Sequence, residues 1–498
     1  MKRVLVANRG EIALRIIRAC REEGLESVAA YSEADRHSPH VRAADMAREL
    51  GPAPASDSYL DIDRVLRAAK ESGADAVHPG YGFLAERPEF AQAVEDAGLV
   101  FIGPPSEAVR AMGEKTEARR RMKEVGVPIV PGTTEPVAHR RAAVEAAEEI
   151  GYPVLLKAAQ GMRVAKTAQE VEKGFSQAAS EARSAFGDSS VYLERFIERP
   201  RHVEIQVMAD QSGRTVHLGE RECSVQRRHQ KLIEESPSMA VDQELREKMG
   251  EAAVSAARAV GYVSAGTVEF LLDERGRFYF LEMNTRLQVE HPVTEMVYGV
   301  DLVREQLRIA RGLPMSVPTT KLSPRGHAIE CRITSEDPFG GFLPATGRIE
   351  YLGIPGGPGV RWDGGIELGT QVTLHYESLL GKLITWGENR GHAIGRMERA
   401  LDELIIVGLP TSVPFHRRVM RERSFRAGTY DVGYMERVGS DLLAREPDGD
   451  RLELVAVAAA LAADEARGVV AVRGGMAGDG RDRGADRWLL AARREALR

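Results

Sequence analysis

Cysteine is scarce in this sequence, and long apolar runs are absent. The three cysteines, Cys20, Cys223 and Cys331, are far apart and have no CxxC spacing, which excludes a disulfide framework or a structural zinc site and fits a reducing compartment. The longest apolar run, from Leu454 to Ala463, has half of the ~20 residues that a membrane helix needs. The apolar run at the N-terminus is too short for a signal peptide. We therefore expect a cytoplasmic protein without a membrane partner.

The sequence also lacks a strong excess of charge and two common nucleotide motifs. Lysine and arginine number 68, aspartate and glutamate number 74, and the net charge is −6, so we expect no nucleic-acid partner. No GxxxxGK[ST] motif occurs, and the first turn, Asn8-Arg9-Gly10-Glu11, lacks the glycines of GxGxxG. A P-loop is therefore excluded, and no dinucleotide site is predicted.

The residue pattern of the chain changes at several points. At ~150 residues per domain, the length of 498 residues predicts roughly three domains. Strand patterns at 4–7, 28–31, 76–78 and 99–102 alternate with helix patterns at 11–23 and 61–72, which predicts a parallel sheet. The pattern of predicted elements changes near Glu114 and again after Pro314. From about residue 448 a glycine-punctuated tail predicts flexible chain.

A predicted hairpin brings two acidic residues together. Strand patterns at 267–272 and 278–282 flank a turn-rich connection, and with a four-residue loop residue 273 faces 278 and Glu269 faces Glu282. Both carboxylates then project from one face with their Cβ atoms within ~5.5 Å. Facing acids repel unless a cation lies between them, and Mg²⁺ accepts one or two carboxylates together with phosphate oxygens. The alternative is an exposed acid pair on the rim of a sheet.

Polar side chains alternate directly after this hairpin. In an extended segment Asn284, Arg286, Gln288 and Glu290 share one face. A guanidinium matches a planar oxyanion, and a carboxylate on the same face takes a proton from that anion if its pKa is suitable. The alternative is a solvated strand face. The two candidate Mg²⁺ ligands directly before this segment favour the binding role instead.

Other candidate anion-binding groups lie elsewhere in the chain. The basic run 226–231 (QRRHQK) predicts a loop that holds phosphate or bicarbonate, or alternatively a solvated turn; it has no interleaved aromatics, which argues against nucleic acid. Lys115 and Lys157 are candidate phosphate ligands, although a lone lysine is more often a surface residue. In segment 201–206, alternation places His202, Glu204 and Gln206 on one face.

Five segments in order resemble the biotin carboxylase family. They span roughly residues 1–437 and lie at 7–13 (ANRGEIA), 78–84 (HPGYGFL), 201–206 (RHVEIQ), 282–292 (EMNTRLQVEHP) and 325–332 (RGHAIECR). The resemblance implies a chain of α/β and α+β class with four parts. These are a Rossmann-like N-terminal domain (1–112), an ATP-grasp domain (113–318) with a lid subdomain at about 129–197, a β-rich C-terminal domain (319–440) and a variable, partly flexible tail (441–498).

The family activates bicarbonate with ATP to form carboxyphosphate and then carboxylates a ureido nitrogen of biotin on a carrier protein. The resemblance therefore implies ATP and Mg²⁺ (or Mn²⁺) as cofactors. It implies a homodimer whose partners are a biotin carboxyl carrier protein and a carboxyltransferase subunit. The whole would be an acyl-CoA carboxylase, as in fatty acid biosynthesis, or a pyruvate carboxylase. No Met-Lys-Met biotinylation site occurs, so biotin is expected on a separate carrier.

The resemblance also implies roles for individual residues. Lys115 and Lys157 would contact the ATP phosphates, Glu194 and Leu271 would hold the adenine, and His202, Gln226 and His229 would line the nucleotide site. Glu269, Glu282 and Asn284 would bind the metal. Bicarbonate would be held by Arg286, Gln288 and Val289, with Lys231 adding positive charge. Glu290 would be the base, and Arg332 would stabilise the enolate-like oxygen of biotin.

The segment after Lys157 departs from the family pattern. The family has a glycine-rich loop of about a dozen residues, which suits backbone N–H groups that must approach phosphate oxygens closely. Here residues 157–163 read KAAQGMR, so Gly161 alone survives and about five residues are missing. Either the sequence omits a loop that the protein has, or a real deletion impairs ATP turnover. The alternatives to an active enzyme are a weakly active scaffold or regulatory subunit of the same complex, and another ATP-grasp ligase.

Overall fold

The N-terminal part is a five-stranded parallel sheet with helices between its strands. The computed structural model describes residues 1–133, 135–158, 161–186, 191–318 and 322–444. The sheet has the order β3-β2-β1-β4-β5, which confirms the predicted parallel sheet. Its elements are β1 (Arg3–Val6), α1 (Gly10–Glu22), β2 (Glu26–Ser32), α2 (Pro39–Ala43), β3 (Met46–Gly51), α3 (Ile62–Ser72), β4 (Ala76–His78), α4 (Pro88–Asp96) and β5 (Val100–Phe101).

Three elements of this N-terminal part, α2, β3 and α4, have no counterpart in the sequence prediction. Strand β3 lies at the sheet edge and is only partly buried, with Leu50 its one buried residue. Its sequence, MARELG, therefore has no apolar run that would mark a strand. Helix α4 begins at Pro88, a residue that suits the first turn of a helix because it needs no N–H partner there.

The turns after β1 and β4 are tied together at the carboxyl edge of the sheet. Asn8 Nδ2 donates hydrogen bonds to the carbonyl oxygens of Pro79 at 2.8 Å and Tyr81 at 2.7 Å. Gly80 has a φ of +64°, and a Cβ at this position would lie 2.9 Å from Asn8 Nδ2. The glycine is thus required both by the turn and by the close approach of the Asn8 side chain.

A smaller layered unit follows the parallel sheet. Its strands form an antiparallel sheet of order β7-β6-β8, and helices α7 and α8 cover one face with Ala143, Ala147, Val171 and Phe175. Ala158 pairs with Gly161, so only residues 159 and 160 join β6 to β7. The elements of this region are α5 (Ser106–Gly113), α6 (Lys115–Glu124), α7 (Arg140–Ile150), β6 (Val154–Ala158), β7 (Gly161–Ala165), α8 (Ala168–Phe186) and β8 (Val191–Arg195).

Most of the long strands that follow form one large antiparallel sheet. Its eight strands have the order β13-β12-β9-β10-β11-β14-β21-β19, so β11, which precedes residues 319–321, pairs directly with β14, which follows them. The elements up to that point are β9 (Arg201–Ala209), β10 (Thr215–Arg227), β11 (Gln230–Ser236), α9 (Gln243–Ala259), β12 (Ser264–Leu272), β13 (Phe278–Asn284), α10 (His291–Tyr298) and α11 (Leu302–Ala310).

The last part adds three strands to the large sheet and packs helices on it. Its elements are β14 (His327–Thr334), β15 (Glu336–Asp337), β16 (Leu343–Pro344), β17 (Gly347–Arg348), β18 (Tyr351–Gly353), β19 (Val360–Gly364), β20 (Gln371–Val372), β21 (Leu379–Gly387), α12 (Arg390–Glu403), β22 (Ile405–Val407), α13 (Val413–Arg421), α14 (Arg423–Ala427) and α15 (Tyr434–Leu442). In the described part of the chain, no helix is long and apolar enough to cross a membrane. The tail from about residue 448, predicted to be flexible, lies outside the described residues.

A buried carboxylate on β11 joins this strand to β14, to α12 and to the segment between α14 and α15. Glu235 Oε2 lies 2.7 Å from His327 Nε2 and accepts a hydrogen bond from Arg390 Nε at 2.7 Å, and Tyr430 donates to the other oxygen. Burial alone would raise the pKa of Glu235, but His327 and Arg390 outweigh it and lower the pKa to about 2.

We expect Glu235→Gln to destabilise the fold at neutral pH. A depressed carboxyl pKa stabilises the folded state above the unfolded pKa, and this contribution is lost as the pH falls towards the folded value. At pH 7 the variant should lose about 3 kcal/mol of unfolding free energy, and the difference from wild type should shrink between about pH 4.5 and about pH 2. Urea unfolding at several pH values measures this. Glu403→Gln, at an exposed pair with Arg399, should change stability by ~0.5 kcal/mol or less, and an equal loss in both variants would contradict the prediction.

Candidate active site

The predicted hairpin is present, but its loop is one residue longer than expected. Leu272 pairs with Phe278 and Phe270 with Phe280, so the prediction that residue 273 faces 278 was wrong. A bulge at Leu281 then restores the pairing, and Glu269 lies opposite Glu282 as predicted. A bulge adds one residue to one strand only, so it compensates for the extra loop residue and brings the two acids to the same level.

The segment after the hairpin is not the extended strand that the alternation predicts. Strand β13 ends at Asn284, the chain turns at 289–290, and Glu290 directly precedes α10. The side chains nevertheless converge as expected. Arg286 Nη2 donates to Asn284 Oδ1 at 2.9 Å, and Gln288 Nε2 donates to Glu269 Oε1 at 3.0 Å.

Lys231 lies at the centre of a ring of buried acids. Its Nζ is 2.6 Å from Glu204, 3.0 Å from Glu269 and 2.7 Å from Glu290. Burial alone would lower the pKa of Lys231, but these three carboxylates raise it well above its usual value. The lysine is therefore charged at neutral pH and holds the carboxylates of three separate elements, β9, β12 and the turn before α10, around one point.

Glu290 is held between two cations. Lys231 donates to its Oε1, and Arg332 Nη2 donates to its Oε2 at 2.8 Å, while Arg332 Nε donates to Glu234 at 2.6 Å. Burial would raise the pKa of Glu290, but Lys231, Arg332 and Arg221 lower it well below its usual range. With all its neighbours in place, Glu290 is a fixed anion and a weak proton acceptor.

The acid pair Glu269 and Glu282 has the ligand chemistry of a hard-cation site. Glu269 is buried and accepts from Asn284 Nδ2 at 2.8 Å, and His202 Nε2 lies 2.9 Å from its other oxygen. Glu282 lies on β13, the edge strand of the large sheet, and is exposed. Its pKa is raised, mainly by partial desolvation of the carboxyl group and next by the negative charge of Glu269. A carboxylate whose ionisation is opposed by a facing carboxylate fits a site that takes a divalent cation.

Residues predicted to contact the nucleotide lie on the smaller sheet, on β12 and on α6. Lys157 on β6 forms an ion pair with Glu194 on β8, which also pairs with Arg119 at 2.9 Å. Leu271 packs on a small apolar cluster of Val130, Ile197 and Tyr279. The charge of Lys115, the first residue of α6, partly opposes the rise in the pKa of Glu282.

Other predicted residues lie at positions of different character. Gln226 pairs with Lys231 across the β10–β11 hairpin, whose turn residues Arg228 and His229 have positive φ. His229 is exposed at the tip of that turn, and among the described residues it has no ion pair or hydrogen bond with the buried ring. Gly161 begins β7 opposite Ala158. The carbonyl of Val289 accepts a hydrogen bond from Lys382 at 2.8 Å.

Sequence reasoning missed Arg221, which holds the ring together, and placed Glu204 on a polar face without giving it a role in the ring. Arg221 is fully buried and donates to Glu204, Gln206, Thr267 and Thr294 at 2.5 to 3.0 Å. Glu204 receives both Arg221 and Lys231. The available signal was the placement of charged residues inside strand patterns, because a charge within a buried strand requires a partner.

Comparison with known proteins gives the chain a family. Residues 1–109 match the family described as "Biotin carboxylase, N-terminal domain", 114–317 match "Carbamoyl-phosphate synthase L chain, ATP binding domain", and 330–437 match "Biotin carboxylase C-terminal domain". Biotin carboxylase 1 of Bacillus subtilis is 50% identical over 442 residues, which are 88% of this chain and 98% of the relative. The chain belongs to the biotin carboxylase family.

Subunits or domains of pyruvate and 2-oxoglutarate carboxylases are similar to this chain to a comparable degree. One of the pyruvate carboxylase subunits of Methanothermobacter thermautotrophicus is 51% identical over 439 residues, 87% of this chain and 89% of the relative. The biotin carboxylase domain of thermophilic 2-oxoglutarate carboxylase bound to bicarbonate has a TM-score of 0.86 at 45% identity, covering 89% of this chain and 99% of that one. The biotin carboxylase subunit of pyruvate carboxylase has a TM-score of 0.83 at 45% identity, covering 90% and 100%.

These similarities confirm the predicted family and fold class. Biotin carboxylases are ATP-dependent ligases, and the ATP-binding domain match covers the hairpin acids, the Lys231 ring and Glu290. Arg332, which joins this ring to β14, lies in the matched C-terminal domain. In this biotin carboxylase, two matched domains therefore contribute side chains to one buried cluster.

Proposed function

We propose that this chain uses ATP and bicarbonate to carboxylate biotin that is carried on a separate protein. The observation that carries the proposal is the fully buried Glu290 carboxylate held between Lys231 and Arg332. Glu290, the proposed base, thus lies between a lysine of β11 and an arginine of β14. Such an arrangement suits a reaction in which a proton leaves one anion and charge develops on a second substrate.

Bicarbonate would be held by Arg286, Gln288 and Val289, with Lys231 beside it. A bound anion would draw hydrogen bonds of Lys231 away from Glu290. Because Lys231 is the strongest cause of the low pKa of Glu290, this would raise that pKa and let the carboxylate accept the bicarbonate proton. The base would thus strengthen when its substrate arrives.

The nucleotide would lie between the smaller sheet and the hairpin acids. Lys115, Lys157 and Gly161 would lie along the phosphates, Glu194 and Leu271 at the adenine, and His202, Gln226 and His229 beside the nucleotide. Glu269, Glu282 and Asn284 would hold Mg²⁺ or Mn²⁺, which when bound neutralises phosphate charge. The ion pair between Lys157 and Glu194 would have to open for both residues to reach ATP.

We infer the remaining organisation from the family. Domains at 1–112, 113–318 and 319–440 would form the catalytic unit, and Arg332 would stabilise the enolate-like oxygen of biotin. A biotin carboxyl carrier protein and a carboxyltransferase subunit would be its partners in the cytoplasm. A homodimer is supported by a solved relative described as a biotin carboxylase domain dimer from Hydrogenobacter thermophilus.

A weakly active scaffold or regulatory subunit is the second candidate, because only two residues join β6 to β7. A phosphate lid excludes water from a readily hydrolysed intermediate, and a two-residue link is too short to cover the phosphates. Bicarbonate-dependent ADP release and carboxylation of free biotin separate the two. Both activities above background support the enzyme; no ADP release favours the scaffold, and ligation of an amine without biotin carboxylation favours another ATP-grasp ligase.

Removing one acid of the hairpin should weaken metal binding selectively. We expect Glu282→Gln to raise the Mg²⁺ concentration for half-maximal ATP turnover about tenfold, because one carboxylate ligand is lost. A magnesium titration at saturating ATP measures this. Glu274→Gln, in the adjoining exposed turn, removes the same charge and should leave the titration unchanged. Equal shifts in the two variants would assign the effect to general surface charge.

A further inference from the structure

Two buried carboxyl groups next to Arg332 have no part in the proposed reaction. Glu234 on β11 and Glu330 on β14 lie directly opposite each other in the antiparallel register, and both are 0% exposed. Side chains at directly paired positions share one face of the sheet, with Cβ atoms about 4.5–5.5 Å apart. The two acids are therefore neighbours in a region without solvent.

Three of the four carboxyl oxygens of this pair lack a hydrogen-bond donor among the described residues. Glu234 Oε1 accepts from Arg332 Nε at 2.6 Å, but Glu234 Oε2 and both oxygens of Glu330 have no hydrogen-bond partner among the described residues. The nearby cations are engaged elsewhere. Lys382 donates to the Val289 carbonyl at 2.8 Å and lies 3.1 Å from Glu11, and the other end of Arg332 holds Glu290. Two adjacent buried anions without donors are costly, and one proton would supply the missing donor.

We propose that Glu330 is a neutral carboxylic acid at neutral pH that donates its proton to Glu234 Oε2, and that this acid pair positions Arg332 against Glu290. With the proton in place, the pair carries a single negative charge, and Arg332 is shared between Glu234 and Glu290. Without it, a second negative charge beside Arg332 would draw the guanidinium away from Glu290. Glu330 is thus a positioning residue that acts through Glu234 and Arg332.

The surrounding charges agree with this assignment. Burial raises the pKa of Glu330 well above its usual value, against the opposing charges of Lys382 and Arg332, and burial likewise raises the pKa of Glu234 to about 7. The titratable and charged groups that influence the pair from the packed elements are Cys223 on β10, Lys231 on β11, Arg332 on β14, Lys382 on β21 and Glu290 before α10, together with Cys331 on the opposite face of β14. Raised carboxyl pKa values place the loss of the shared proton on the alkaline side.

Infrared spectroscopy of the full chain tests the protonation without substrates. The difference between wild type and Glu330→Gln should show one protonated-carboxyl band at neutral pH that disappears at alkaline pH. Other buried acids, such as Glu11 and Glu222, are common to both proteins and cancel. Glu244→Gln, at an exposed helix position, should produce no such band. Absence of the band from the wild-type minus Glu330→Gln difference would overturn the proposal.

A second variant tests the hydrogen bond itself. In Glu234→Gln, Glu330 keeps its proton, but its acceptor changes from a carboxylate to an amide, so the protonated-carboxyl band should remain and shift in frequency. An unshifted band would show that Glu330 does not donate to Glu234. This measurement does not require Glu330→Gln to fold.

The positioning role rests on the proposed function and has its own readout. Wild-type kcat/KM for biotin should decline at alkaline pH as the shared proton is lost, whereas Glu330→Gln, which cannot ionise, should lose that decline. A decline that persists unchanged in the variant would overturn the positioning role. The infrared band together with absent biotin carboxylation by wild type would instead contradict the proposed function while leaving Glu330 protonated.

Discussion

Glu290→Gln should reduce bicarbonate-dependent ATP turnover by about 10²- to 10⁴-fold, the contribution typical of a positioned general base. The amide has the shape of the carboxylate but cannot accept the bicarbonate proton. The buried ring should survive the change, because Lys231 keeps Glu204 and Glu269 and Arg332 keeps Glu234. ATP binding should therefore stay intact. Coupled ADP-release assays measure the turnover, and equilibrium nucleotide binding measures the affinity.

The matched control is Glu388→Gln, which removes a carboxylate whose side chain is 78% exposed. It should leave both measurements unchanged. Unchanged turnover in Glu290→Gln would remove Glu290 from the role of base. Loss of ATP binding together with turnover would instead assign Glu290 a structural role in the Lys231 ring.

The pairing of Glu269 with Glu282 was predictable because side-chain alternation links register to face. The individual pairings nearer the turn were not, because the longer loop and the bulge at Leu281 compensate each other. Sequence patterns report apolar periodicity, and neither change alters which residues are apolar. A correct site pairing therefore resulted from a hairpin whose turn was predicted wrongly.

The convergence of residues 284–290 shows a different limit. Alternation placed Asn284, Arg286, Gln288 and Glu290 on one face, and these side chains do contact one another or the Lys231 ring. The backbone that achieves this is a turn leading into α10, where the pattern predicted a strand. Arg221, in contrast, was missed because its partners come from three other elements, β9, β12 and α10, and a single sequence does not reveal which strands become neighbours.

Arg332→Lys should separate the two half-reactions. We expect carboxylation of biotin to fall about 10²- to 10³-fold, the usual loss when one preorganised donor to a developing anion is removed. Bicarbonate-dependent ATP hydrolysis without biotin should persist, because Arg286 and Gln288, which we propose hold bicarbonate, and the proposed base Glu290 all remain. Lysine keeps the positive charge but lacks the planar fork with which Arg332 reaches Glu234 and Glu290 at 2.6 and 2.8 Å.

Parallel assays of ADP release with and without biotin, together with carboxybiotin formation, measure this split. Arg199→Lys is the matched control, since its side chain is 59% exposed and its partner Asp431, 3.0 Å away, is also held by Arg437; it should alter neither activity. An equal loss of both activities in Arg332→Lys would show that this arginine chiefly holds Glu290 in place. Retention of both would remove Arg332 from the biotin side of the reaction, and would leave the joining of β14 to the buried ring as its whole contribution.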